Sequence, residues 1–199
     1  MESSSYSAPS RFLQIATLAF FPLLAFVVGG VFLPTQKSLT KAREGVDRSS
    51  LKDVLLSTPP KVTSPLNIVL AKKIAVLGAE LPMAPVGRGG AINIKSFFKA
   101  VGPIDRDWKM FMHIDRNEGN FRIHGDHFPA SGRYPTSLWR IGDQIVDAFS
   151  PRVPIDAPSG KYTVFVGFYI DKERLRVTEG DKEFHDDKNR IRLGEVVVK

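Results

Sequence analysis

From residue 67 onward the hydrophobic and polar positions alternate with a period of two, the mark of strands that bury one face. Over 91–101, Ile92, Ile94, Ser96, Phe98 and Ala100 share a face, and Gly102-Pro103 ends the run. Over 108–115, Trp108, Met110, Met112 and Ile114 lie on one side, with Lys109, Phe111, His113 and Asp115 on the other. The polar cluster Asn117-Glu118-Gly119-Asn120 suits a hairpin turn, and a short strand over 120–124 follows it. The most strand-like segment is 161–170, with Tyr162, Val164, Val166, Phe168 and Ile170 on one face. Further strands are predicted over 67–82, 142–154 and 191–199, separated by Pro- and Gly-rich breaks. Seven to nine short strands with no amphipathic helix between them predict an all-β fold, an antiparallel β-sandwich of Ig-like or jelly-roll-like type. Phe98, Met110, Trp139, Val164, Val166 and Phe168 are its expected core.

The amino-terminal part follows no such period. Residues 1–11 are polar, Ser-rich and read as a disordered tail. Residues 12–33 carry no charge and only Gln14 and Thr17 as polar interruptions. At about 1.5 Å per residue this run reaches about 33 Å, enough to cross a hydrocarbon core of about 30 Å. A cleaved signal peptide would have an apolar region of about 7–15 residues and a small-residue cleavage site. Here Val27-Val28-Gly29-Gly30 is a poor match and the run continues past it. The expectation is an uncleaved signal-anchor helix, kinked at Pro22, with the lipid bilayer as partner. Residues 34–66 read as a basic tether in which Asp47 or Ser49 could cap a short helix through Leu51, Val54 and Leu55, ended by Pro59-Pro60. The sandwich is then 67–199.

Flanking charge and length argue in opposite directions on orientation. Lys37, Lys41, Arg43 and Arg48 follow the span, which by the positive-inside rule favours a cytoplasmic domain. A long downstream domain translocates largely regardless of such charge. Charge and length together leave the orientation of this single-pass protein open.

Composition narrows the chemistry. The 199 residues contain no cysteine, which excludes disulfides and thiolate metal sites. The net charge of +7 favours acidic partners, but the basic residues are spread through strands and loops. Nucleic acid is therefore not an expected partner.

Candidate chemistry concentrates in 108–147, which holds both tryptophans and three of the four histidines. His113, His124 and His127, with Asp115 and Asp126 nearby, suggest nitrogen and oxygen ligands for a metal-assisted hydrolase. Alternation opposes that reading, because His124 and Asp126 share a face that His127 does not. The competing reading has Asp126 accepting backbone hydrogen bonds and His127 packing at the base of its loop. Ser131 or Ser137 with His127 and Asp126 would make a hydrolase triad, but no G-x-S-x-G elbow is present. In the loop 125–139, Tyr134 and Trp139 could stack on sugar rings while Asp126, His127, Arg133 and Thr136 complete a shallow ligand platform. A Trp139 that plugs the core is the favoured alternative. No cofactor is expected, and a glycan or an envelope protein is the expected partner.

The order Gly89-Gly90 before a strand, WKMFMHID, D-H-x-P-x-x-G-x-x-P-T-x-x-W-x-x-G-D-x-x-x-D, P-x-x-x-P-S-G-x-Y-x-x-x-x-G-x-Y, R-L and L-G-x-V-x-V resembles a small β-sandwich domain. That domain occurs at the extracytoplasmic C-terminal ends of bacterial mannosyltransferase-type membrane glycosyltransferases and in related membrane-anchored proteins of no assigned activity. The resemblance covers about 70–199 and implies the sandwich and, for this single-pass protein, an extracytoplasmic position in the periplasm. The many-spanning catalytic portion of those glycosyltransferases has no counterpart here, so the resemblance implies no transferase activity.

Overall fold

The computed structural model describes residues 36–62 and 65–199. The expected tail at 1–11 and span at 12–33 lie outside the described residues. Among the described residues no helix is long and apolar enough to cross a membrane.

A short helix, α1 (Gln36–Glu44), precedes ten strands. In chain order these are β1 (Ile68–Leu70), β2 (Ile74–Glu80), β3 (Ile94–Ala100), β4 (Lys109–Arg116) and β5 (Arg122–His124). Then come β6 (Gln144–Phe149), β7 (Gly160–Ile170), β8 (Glu173–Arg174), β9 (Val177–Glu179) and β10 (Ile191–Val198). One sheet runs β6-β3-β2-β1-β9 and the other β10-β7-β4-β5, with β8 hairpinned onto β7. All strand pairs are antiparallel. Only single short turns of 3-10 helix interrupt 67–199, so the two-residue period identifies the class correctly as an all-β sandwich.

Alternation decides which side chains fill the space between the sheets. Met110, Met112 and Ile114 of β4 lie opposite Phe168, Val166 and Val164 of β7, and all six are fully buried. Phe98 from β3 meets Phe168 edge to ring at 5.2 Å, which stitches the sheets together. The expected core residues are all inside, Trp139 included.

The boundary of the compact unit differs from the expected one. That unit runs from Leu39 to Lys199, so much of the expected tether is packed against the sheets. Asp47 caps a single turn, Arg48–Leu51, by accepting from the Ser49 amide at 2.9 Å. Leu51 and Val54 are buried, and Val54 and Leu56 exchange backbone hydrogen bonds with β6. Two arginines add polar ties: Arg43 donates to the Ser137 and Ile104 carbonyls at 2.9 and 2.5 Å, and Arg48 forks onto Asp143 at 2.8 and 3.2 Å. The hydrophobic pattern of 39–56 is too short and irregular to announce this packing.

Candidate functional site

The loop between β5 and β6, which the sequence singles out, closes one end of the sandwich. Three of its side chains point inward, since Tyr134 and Thr136 are buried and Trp139 is 1% exposed, whereas Phe128 stands out at 45%. The Trp139 indole donates to the Tyr134 carbonyl at 2.9 Å, and its ring lies 6.4 Å from Phe98 and 6.3 Å from Phe168. Thr136 Oγ1 accepts from the Trp108 amide and donates to the Arg106 carbonyl, at 2.8 and 2.9 Å. Arg133 pairs outward with Asp53. Neither Tyr134 nor Trp139 offers a ring face to solvent, so these six residues do not form the stacking platform considered above. Apolar rings that can reach a backbone partner for their polar atom gain more from the core than from water.

Two aspartates hold this loop in place. Asp143 accepts from Arg48, from the Tyr134 hydroxyl at 2.6 Å and from the Arg140 amide at 2.9 Å. Burial, reinforced by the Asp143 charge, pushes the Tyr134 hydroxyl well above its ordinary value. Asp147 is fully buried; its two oxygens accept from the Ala130 amide at 2.8 Å and meet His127 Nε2 at 2.9 Å. His127 Nδ1 lies 2.7 Å from the Gly125 carbonyl, and the imidazole stacks on Phe149 at 3.8 Å. Burial alone would lower the His127 pKa, but the Asp147 hydrogen bond and charge outweigh it and raise it. His127 thus packs at the base of the loop and does not join His113 and His124. The metal trio His113, His124 and His127 is corrected on this point, and the reason is strand alternation.

The polar side of β4, β5 and β7 builds a different surface. Met110 and His127 exchange both backbone hydrogen bonds, and the Gly125 amide donates to the Met112 carbonyl. His113 and His124 are therefore a non-hydrogen-bonded cross-strand pair, the arrangement that brings side chains closest. Their rings meet edge-on at 5.5 Å. Phe111 stacks on His113 at 4.8 Å and is covered by the Arg174 guanidinium at 4.6 Å. Gly167 makes this possible, since a Cβ there would lie 2.3 Å from the Phe111 ring. Asp115 is clamped by Arg122 at 2.5 and 2.8 Å and by Arg190 at 2.6 Å. Burial would raise the Asp115 pKa, but the two guanidiniums hold it below the usual carboxylate range. Burial, aided by the Arg122 charge, lowers His113 to about 4, so its imidazole is neutral at pH 7.

Beside this cluster opens a cleft of about 360 Å³, lined by Phe111, His113, Asp126, Tyr169, Lys172 and Arg174 among others. The Tyr169 hydroxyl donates to Asp126 Oδ2 at 3.2 Å. Asp126 thus accepts from a side chain, where a backbone partner was expected. Of the residues proposed from the sequence, the cleft contains Asp126 and His113. It adds Phe111, Tyr169, Lys172 and Arg174, which the sequence reading passed over. A signal was available for Phe111, an aromatic residue on the otherwise polar side of its strand, while Tyr169 shares its side of β7 with Phe165.

No family model matches the chain, and no curated protein matches it. Among solved structures the chain is similar to one described as the crystal structure of the C-terminal domain of wzt. The two are 15% identical, the match covers 72% of this chain and 83% of that one, and the TM-score is 0.41. A likeness of that size carries no argument about ligands.

Proposed function

We propose that this chain is a non-catalytic, membrane-anchored glycan-binding module whose sandwich stands outside the cytoplasm. The observation that supports this most is the open cleft on the outer face of β4 and β7. There, the half-buried Tyr169 ring adjoins hydrogen-bonding groups of Asp126, Lys172 and Arg174, the last seated over the buried Phe111. Saccharides offer alternating C–H faces and hydroxyls, which this mixture of rings and planar polar groups suits. The volume falls at the small end of ligand sites, about 300–1,000 Å³.

In native gels cast with the organism's own envelope polysaccharide, the full chain is expected to be retarded. Tyr169→Ala should weaken the apparent affinity about tenfold, the equivalent of about 1.4 kcal/mol. Its ring is only partly buried, so folding stability should stay within about 1 kcal/mol of the parent. An unretarded parent, or equal retardation of both proteins, would end this reading. The orientation has its own check. Protease added to intact spheroplasts should remove the sandwich, whereas protection until lysis would place it in the cytoplasm.

A further inference from the structure

We propose that His113, His124 and Asp126 together bind a divalent transition-metal ion of the zinc type. One ligand atom from each lies within 4.8 Å of the others. The strand register explains the grouping. His113 and His124 face each other across a non-hydrogen-bonded pair, and Asp126 lies two residues beyond His124 on the same face of the chain. Two ligands come from adjacent strands and the third from the loop just beyond β5, where His127 still bridges Met110 of β4.

A second, independent observation points the same way. His113 is 7% exposed, yet its buried Nδ1 has no hydrogen-bond partner. A buried, unsatisfied ring nitrogen is costly and uncommon, and it calls for a partner. Phe111 presents a ring face to it, and His124 approaches edge-on at 5.5 Å. A cation held through the imidazoles would fix the orientation of this buried ring.

Donor chemistry selects the ion. Two imidazole nitrogens with one carboxylate oxygen suit zinc, cobalt, nickel or copper, whereas calcium and magnesium prefer sets made wholly of oxygen. With metal–nitrogen bonds of about 2.0–2.1 Å, ligand atoms in a tetrahedral site lie about 3.3 Å apart. The cluster must therefore tighten. His124 and Asp126 are exposed, so rotating their side chains displaces little packing. Tyr169, donating to one Asp126 oxygen, already orients the carboxylate in the way outer-shell groups orient metal ligands. The other oxygen is left for the ion, and the fourth position faces solvent. The site shares His113 and Asp126 with the cleft wall, and zinc binding is read without any glycan present.

The test uses the untagged full chain in detergent, stripped with chelator and titrated with zinc chloride by calorimetry. Cobalt(II) serves as a visible-absorption probe of the coordination. One equivalent of zinc is expected, with cobalt d–d bands of a low-coordinate nitrogen and oxygen site. His124→Ala and Asp126→Asn should each raise the zinc Kd at least as much as loss of an outer-shell partner does, about 10–100-fold. His185→Ala, at a histidine outside the cluster, should leave it unchanged. Because His124 and Asp126 are exposed, far-ultraviolet circular dichroism should be the same for all variants. Absence of saturable zinc binding by the parent, or an unchanged Kd in His124→Ala, would overturn the site.

Discussion

Replacing Trp139 with alanine is expected to cost about 3–5 kcal/mol of folding stability, the range for deleting a large buried aromatic side chain. The indole is 1% exposed and sits where Phe98 of β3, Phe168 of β7 and Tyr134 of the closing loop converge. Its removal opens a void between both sheets and leaves the buried Tyr134 carbonyl without its donor. The surrounding strands cannot close that void without breaking register. Urea denaturation of the full chain in mild detergent would measure the loss. A cost under about 1 kcal/mol would mean the ring is not a core plug and would return it to the ligand-binding candidates.

Asp147→Ala should be as damaging, also about 3–5 kcal/mol, because one partner of a buried pair is removed while the other stays. The Ala130 amide loses its acceptor, and His127 keeps its burial but loses its counter-charge. The pH dependence identifies the cause. His127 has a folded pKa raised above its ordinary value near 6.5, so its stabilising contribution is fully present below about pH 6.5. It is lost as pH rises through the raised value. The stability difference between the parent and Asp147→Ala should therefore be largest in mild acid and shrink toward alkaline pH. His113 contributes in the opposite sense, since its lowered pKa costs stability as pH falls from 6.5 toward 4, but it is common to both proteins and cancels. Asp147→Asn keeps an acceptor for the Ala130 amide and should lose less. A difference independent of pH would show that His127 and Asp147 do not act as a charged pair.

What the sequence made legible follows from which forces are local. A strand with one buried face writes its period directly into the residues, so β3, β4 and β7 and the inward set Phe98, Met110, Val164, Val166 and Phe168 could be read from alternation alone. The loop 125–139 was recognised as ordered because of its Gly, Pro and Asp content, yet its role was harder to see. Whether Tyr134 and Trp139 face solvent depends on acceptors at the Leu138 and Tyr134 carbonyls, and no composition reveals these. The metal ligands were half legible. Alternation already separated His127 from His124 and Asp126, but pairing His113 with His124 needs the hairpin register. The packed segment after Leu39 was least legible, because its anchors are arginines meeting backbone carbonyls far along the chain.

That packed segment also bears on how the molecule avoids its own copies. Sheets end in strands whose outer amides and carbonyls are open templates for another chain. At β6 the template is occupied: Leu55 bridges Ile145, the Leu56 amide donates to the Gln144 carbonyl and the Val146 amide to the Val54 carbonyl. At β10, Val86 takes the corresponding place, donating to Val197 and accepting from Lys199. Two of the four sheet borders, β6 and β10, thus carry a selvedge supplied by stretches outside the sheets. A fragment cut at residue 67, where the strand pattern begins, would keep every predicted strand and leave the β6 border unsewn.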